Sequence, residues 1–171
     1  MLVAPALAGC ATEQTPAPSQ TAAATDAPVF ASDEEALAAA TKAYASYQEL
    51  SSVIAQEGGV SPERIAEFAT GAALKAEVAS FSSLARAELR GVGQLAFDSA
   101  KLQEVDLASG SVRTYLCLDV SDTDVVDAVG ESAVPSDRVL RFPLQVGFVH
   151  DPLQNRLLVE ESKSWSGNNF C

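Results

Sequence analysis

Histidine, cysteine and basic residues are scarce in this 171-residue chain. There is 1 His and there are 3 Cys, with no Cys-x-x-Cys spacing, so neither a thiolate zinc site nor a redox motif is indicated. The 11 Lys and Arg residues are outnumbered by 23 Asp and Glu residues, which gives a formal net charge of -12. Because this charge repels phosphate backbones and no basic cluster offsets it locally, nucleic acid is excluded as a partner. The sequence predicts no metal and no cofactor.

Long apolar runs are missing as well. The sequence contains no run of the roughly 18 apolar residues that a membrane-spanning helix needs. Its uninterrupted apolar stretch, residues 1–9, is too short for a complete signal peptide and lacks the positively charged leading segment. We therefore expect residues 1–9 to be the remnant of a signal peptide, either trimmed or with its true start upstream.

This stretch ends in Leu7-Ala8-Gly9-Cys10, which resembles the lipobox of bacterial lipoproteins. The alternative is a chance match in an Ala-rich chain. The position of the motif, after an apolar segment and directly before a tether-like segment, favours lipidation of Cys10. Two or more acyl chains, palmitate among them, would hold the protein at the extracytoplasmic face of the cell membrane, because a single chain anchors only marginally.

The number of cysteines is consistent with this extracytoplasmic localisation. If Cys10 carries lipid, Cys117 and Cys171 remain, and a disulfide between them would fix the C-terminus to the sheet. In the chain-entropy model, a loop of this length stabilises the fold by roughly 4 kcal/mol. The alternative is two separate buried thiols, which is hard to reconcile with a terminal cysteine.

Composition divides the chain into a tether and one domain. Residues 10–31 begin with the lipidated cysteine, are rich in Ala, Thr, Pro, Gln and Ser, show no periodicity and are predicted to form a disordered tether. Residues 32–171 are predicted to form a single domain, which is an ordinary size for one hydrophobic core.

The domain begins with a strong helix signal. Ser32 is followed three residues later by Glu35, which is the capping-box signature of a helix N-terminus. This helix is predicted to end near Gln56, before Gly58-Gly59. Its apolar face has helical spacing: Leu37, Ala40, Tyr44, Tyr47 and Ile54.

Two further helices are predicted before the pattern changes. A short one starts at Ser61-Pro62, because Pro is favoured at the first helical position. A third one ends at Arg90-Gly91, and after it the apolar period changes to two, which indicates strands. Pro143 lies inside the last long strand, which predicts an edge position or a bulge there.

Helices followed by hairpin strands indicate an α+β fold, with N-terminal helices packed on a curved antiparallel sheet. This order resembles the NTF2-like (cystatin-like) superfamily, whose sheet wraps the helices into a cone. The lipobox and tether, the segment from Tyr115 to Asp127, the segment Pro135-Ser-Asp-Arg138 and the ending from Trp165 to Cys171 also resemble uncharacterised lipoproteins of high-GC Gram-positive bacteria. The resemblance covers essentially the whole chain and implies the fold, but it transfers no activity.

Candidate site residues are few. Asp98, Tyr115 and Asp119 are the candidates for an acid-base group in an NTF2-like cavity, although Tyr115 and Asp119 share a strand face with Cys117 and could equally lie on the disulfide side. The single histidine, His150, is either a strand-end base or a solvated turn residue. The acidic segment 119–127 suggests calcium, but its spacing does not match a calcium loop, and Asp residues also accumulate in turns.

Two classes of function follow. The first is a membrane-tethered, non-catalytic module of the cell envelope that binds a protein partner or a small apolar ligand. The alternative is a small-molecule enzyme with isomerase- or hydratase-type acid-base chemistry in an NTF2-like cavity. No recognisable catalytic set is present in the sequence, which favours the first class. A cavity filled by apolar side chains would also favour it, whereas a deep cavity with a buried, unpaired carboxylate would favour the enzyme.

Overall fold

A computed structural model describes residues 27–171. The predicted signal remnant, the lipidation residue Cys10 and most of the predicted tether lie outside these residues. Among the helices of the described part, none is long and apolar enough to span a bilayer.

Helix α1 (Asp33–Gln56) begins and ends where the sequence predicts. The Ser32 hydroxyl accepts a hydrogen bond from the Glu35 backbone N–H at 3.2 Å, as a capping box requires. The Glu35 carboxylate accepts its return bond from the Ala31 N–H at 2.7 Å, one residue earlier than the standard arrangement.

Packing against the core begins before the predicted start at Ser32. Phe30 is buried, and its backbone N–H donates to the Leu107 carbonyl oxygen at 3.1 Å. Val29 also packs against the core. The end of the predicted tether therefore contacts the folded domain.

The second predicted helix begins at Pro62 as predicted but is a 3-10 helix, and the third predicted helix ends earlier than predicted. The segment after Ser61 forms a 3-10 helix (Pro62–Glu67), and helix α2 follows (Gly71–Ala87). Helix α2 stops at Glu88, which has a left-handed backbone with φ 56°. The predicted end at Arg90-Gly91 is wrong, because those two residues begin a strand.

Six strands form two antiparallel sheets. Strands β2 (Ala96–Asp106), β3 (Ser111–Asp119), β5 (Arg141–Asp151) and β6 (Arg156–Ser164) form a four-stranded sheet in the order β2-β3-β5-β6. Strands β1 (Arg90–Gly93) and β4 (Thr123–Val126) pair separately. Because β1 leads into β2 and β4 follows β3, the β1–β4 pair continues the β2–β3 hairpin beyond a break.

The predicted alternation of β3 is confirmed and sets the orientation of the sheet. Val112, Thr114 and Leu116 are buried on the inner face, against the helices. Tyr115 and Cys117 alternate with them and face outward. The α+β arrangement of N-terminal helices on an antiparallel sheet is the one that the NTF2-like resemblance implies, and it is confirmed.

Pro143 does not lie on an edge strand. Strand β5 is paired on both sides, and Pro143 lies opposite Cys117 without a register shift. The Pro143 carbonyl accepts from the Trp165 N–H at 2.9 Å, just beyond the last residue of β6. The backbone N and O of one residue in an antiparallel strand point to the same side. The nitrogen of Pro143, which has no N–H, therefore points towards β6 at the position where the β5–β6 pairing ends.

Candidate functional site

The space between the helices and the sheet is filled by aromatic side chains. Tyr44 on α1 is only 1% exposed, and its ring meets the ring of Phe97 on β2 edge-on, with 4.8 Å between centroids. The Tyr47 ring lies 5.7 Å from that of Tyr44. The Tyr44 hydroxyl accepts from the Gln48 side-chain amide at 2.6 Å. This part of the interior is therefore a packed core whose polar atoms have partners.

One carboxylate lies in the contact between the two helices. Glu77 on α2 accepts a hydrogen bond from the Tyr47 hydroxyl at 2.6 Å and one from the Ser51 hydroxyl at 3.5 Å. Tyr47 and Ser51 are four residues apart on α1, so both hydroxyls project from one face. Glu77 is thus partnered through both of its oxygens.

Sequence reasoning missed Glu77, although a signal was present. Ala73 and Phe81 are buried on α2, and Glu77 lies between them at intervals of four residues. A charged residue at that position lies on the helix's buried stripe and needs a partner there.

Burial controls the protonation of this cluster. Removal of the carboxyl group from water raises the pKa of Glu77, and the hydrogen bonds from Tyr47 and Ser51 oppose that rise only in part. The pKa of the Tyr47 hydroxyl is raised too, by burial first and then by the nearby Glu77 charge. Glu77 therefore keeps a proton at pH values where a solvated carboxyl group has lost it.

We expect Glu77→Gln to change the pH dependence of stability. The folded-state pKa of Glu77 lies above its unfolded value, so the native state binds more protons and the free energy of unfolding falls as pH rises above about 4.5. Gln cannot lose a proton, so the free energy of unfolding of the variant should rise relative to that of the wild type as the pH is raised above about 4.5, as measured by urea unfolding at a series of pH values.

Tyr47→Phe is the companion variant. It removes the shorter hydrogen bond to Glu77, one of the two that lower its pKa, so the pH dependence should become steeper. The loss of that bond should also lower stability by about 1 kcal/mol. Parallel pH profiles for the wild type and Glu77→Gln would contradict the assignment of Glu77 as the titrating group.

The structure places the predicted cavity residues on the outer face of the sheet. Asp98 lies opposite Cys117, and its carboxylate binds Arg141 through both oxygens at 2.6 and 2.8 Å. These hydrogen bonds lower the pKa of Asp98 to about 2. Asp119 accepts from the Ser121 backbone N–H at 2.9 Å and hydroxyl at 2.6 Å, and its other oxygen lies 3.7 Å from Arg141.

Tyr115 lies on the same outer face, under the C-terminal segment. Its ring meets the rings of Trp165 and Phe170 edge-on, with centroids 5.1 and 6.2 Å away. Strand alternation directs Tyr115 and Asp119 away from the helices, and the pairing with Cys117 directs Asp98 the same way. The interpretation of Asp98, Tyr115 and Asp119 as cavity residues is therefore corrected in favour of the disulfide side.

The Cys117–Cys171 disulfide is present, with 5.7 Å between the two Cα atoms. The Asn169 side-chain amide donates to the Arg141 carbonyl at 2.9 Å, and the Arg141 Nε donates to the Cys171 carbonyl at 3.2 Å. The disulfide and these hydrogen bonds hold the C-terminal segment against the sheet. The alternative of two separate thiols does not apply.

The acidic segment 119–127 is used for turns. Asp127 accepts from the N–H groups of Val129 and Glu131, each at 2.9 Å, and Asp124 accepts from Ser132 at 2.9 Å. In residues 27–171, no group of three or more His, Cys, Asp or Glu side chains is arranged to hold a metal ion. His150 lies in strand β5 and pairs with the Asn155 side chain in the next turn at 3.1 Å.

A surface groove lies between α1 and the β1–β4 pair. Two adjoining cavities of about 440 and 150 Å³ share Ser52, Gln56 and Leu95 in their walls. The lining contains the acids Glu49 and Asp124 and no basic residue. The groove is thus separate from Glu77, which lines neither cavity.

Comparisons with known proteins support the fold alone. No family model and no curated protein matches the chain. The intermembrane space region of the chloroplast protein ARC6 has a similar structure, with a TM-score of 0.52 and 12% identity, over 75% of this chain and 95% of that one. Aln2 from a Streptomyces species matches with a TM-score of 0.48 and 18% identity, over 79% and 92%. A Catenulispora acidiphila protein in complex with S-DNPA matches with a TM-score of 0.48 and 16% identity, over 74% and 92%.

Proposed function

We propose that this chain is a lipoprotein, anchored through Cys10 to the extracytoplasmic face of the cell membrane, whose domain is a non-catalytic binding module. The observation that supports a non-catalytic domain is that its interior is filled by side chains. Tyr44 on α1 and Phe97 on β2 pack against each other between the helix and the sheet, where the resemblance implies a cavity. A ligand or partner would therefore bind at the surface of the domain.

The proposed extracytoplasmic, membrane-anchored localisation rests on two features. The lipobox-like residues 7–10 precede the tether-like composition of residues 11–31. The Cys117–Cys171 disulfide suits an oxidising compartment, because cytosolic thiols are kept reduced. Membership of an uncharacterised lipoprotein family of high-GC Gram-positive bacteria belongs to the same proposal.

Cys10→Ala should release the protein from membranes. The variant cannot accept acyl chains, and the acidic domain has no other strong attraction to an anionic bilayer. Fractionation of cells should therefore find the wild type with membranes and the variant in the medium or soluble fraction. Cys171→Ala is the matched control, since it removes a different cysteine and should leave the membrane attachment unchanged. Retention of Cys10→Ala in the membrane fraction would refute the anchor.

Native mass spectrometry of protein extracted from its own membranes would test the lipid anchor and the binding module together. The proposal predicts the mass of residues 10–171 plus acyl chains, less two hydrogens for the disulfide. A non-covalently bound small molecule or protein should accompany it. An acylated protein with no ligand or partner would support the anchor and count against the binding module.

A specific observation favours the alternative, an acid-base enzyme. Burial raises the pKa of Glu77, which lies beside a tyrosine hydroxyl, and a buried carboxyl group with a raised pKa is a common general acid or base. Against this, both Glu77 oxygens are hydrogen-bonded within the helix contact. Turnover of a co-purified compound that is abolished by Glu77→Gln would establish the enzyme; unchanged binding of that compound by Glu77→Gln, without turnover by the wild type, would favour the binding module.

A further inference from the structure

A second pocket, of about 460 Å³, lies on a different side of α1. Its walls come from the N-terminal half of that helix, from the end of the 3-10 helix region and from the turn that leads into β6. The lining residues are Ala39, Lys42, Ala43, Ser46, Phe68, Gln154, Asn155, Arg156 and Leu157. A volume of this size is in the range that takes small organic ligands.

The charge of this pocket is opposite to that of the protein. Its lining includes Lys42 and Arg156 and contains no Asp or Glu, although the chain carries a net charge of -12. Lys42 forms no ion pair with any residue of the described chain, 27–171. The ammonium group is thus available to a ligand.

Arg156 is fixed in place but keeps unused donors. One terminal nitrogen donates to the Glu67 backbone carbonyl at 2.5 Å, and the other lies 3.8 Å from the Glu67 carboxylate. The guanidinium lies over the Phe68 ring, 4.8 Å from its centroid. Its Nε is buried and has no hydrogen-bond partner among residues 27–171. A guanidinium has five N–H donors, and the terminal N–H groups that do not bind the Glu67 carbonyl remain for a ligand.

The charges and the walls together define a ligand class. Lys42 and Arg156 contribute two positive charges and Glu67 offsets one of them, which suits a monoanion. Ala39 and Ala43 on α1, with Leu157 and the Phe68 ring, provide an apolar surface beside the cations.

We propose that this pocket binds an organic monocarboxylate with a short apolar chain. The carboxylate lies between Lys42 and Arg156, and the chain lies on the apolar wall. This inference rests on the proposed binding function and names the ligand class for it.

Octanoate is the probe, used with the full, oxidised chain in an NMR titration. Backbone amides of Ala39, Ala43 and Leu157 should shift and saturate. Octan-1-ol has the same apolar chain without the charge, and acetate has the charge without the chain, so each should bind at least about tenfold more weakly. Equal affinities for octanoate and octan-1-ol would overturn the proposal, as would absence of saturable shifts with octanoate.

Lys42→Gln should weaken octanoate binding about tenfold, because it removes one charged donor and retains most of the side-chain volume. Lys75→Gln is the matched control: Lys75 is an exposed helix residue outside this pocket, and its variant should bind octanoate like the wild type. Added salt should weaken wild-type binding more than binding by Lys42→Gln. Unchanged affinity in Lys42→Gln would overturn the assignment.

The outcomes separate this inference from the proposed function. If the membrane-extracted protein carries a ligand or partner that octanoate does not displace, and octanoate does not bind at the pocket, the binding module stands and the carboxylate pocket is refuted. If the extracted protein is empty and octanoate does not bind, the binding module and the carboxylate pocket are both refuted, and the lipid anchor is judged by the acyl mass alone.

Discussion

Loss of the Cys117–Cys171 disulfide should lower the free energy of unfolding by about 4 kcal/mol. The bond joins residues 54 positions apart, and a crosslink over such a loop removes that much chain entropy from the unfolded state. For a domain of this size, the melting temperature should fall by roughly 10 °C. Thermal unfolding of the wild type with and without reductant would measure the effect.

The double variant Cys117→Ser/Cys171→Ser gives the control for that measurement. It should melt near the reduced wild type and should not respond to reductant, because the single remaining cysteine, Cys10, has no second cysteine with which to form an intramolecular disulfide. The C-terminal segment should also detach in part, since the Asn169 and Arg141 hydrogen bonds on this face are exposed. A reductant-insensitive wild type would mean that the bridge contributes no stability.

Gly59→Ala should destabilise the domain by about 4 kcal/mol. A Cβ built on Gly59 would lie 2.1 Å from the Phe81 carbonyl oxygen, and the glycine itself has φ +77°. The clash is with the backbone of α2, so either α2 or the turn after α1 must move; we take about 3 kcal/mol for that overpacking and about 1 kcal/mol for the left-handed backbone. Chemical denaturation would measure the loss.

Gly58→Ala is the matched control for this prediction. Gly58 also has a positive φ, +72°, but an added Cβ would meet only the Leu89 carbonyl at an ordinary 3.4 Å. Only the cost of the left-handed backbone applies, so the free energy of unfolding should fall by about 1 kcal/mol. Equal effects of the two substitutions would show that the close approach of α2 to Gly59 does not limit packing.

The Gly58-Gly59 pair illustrates what local sequence can predict. The Gly59 N–H donates to the Ile54 carbonyl and the Gly58 N–H to the Ala55 carbonyl, so the pair closes α1 as a helix-ending motif. The sequence predicts this stop from glycine alone. The sequence does not predict that the backbone of Phe81 on α2 packs onto Gly59, because that contact depends on how α2 packs against the end of α1.

The strands show the same division. Alternation predicts the two faces of β3, and the structure confirms them. Strands β1 and β4 were not predicted, because each has only four residues and is held by pairing with the other, which is separated from it in the chain by β2 and β3. Short segments of this kind take their conformation from a partner.

Sequence alone determined the features that depend on neighbours in the chain: the cap at Ser32, the end of α1, the faces of β3, and the α+β order of helices before strands. It also left Cys117 and Cys171 as the pair suited to a disulfide. Only the tertiary structure decided which residues face which space. Asp98 meets Arg141 on the outer face, and Glu77 meets Tyr47 inside, across separations of 43 and 30 residues. Such pairings follow from the packing of whole elements, and the local patterns of either partner do not contain them.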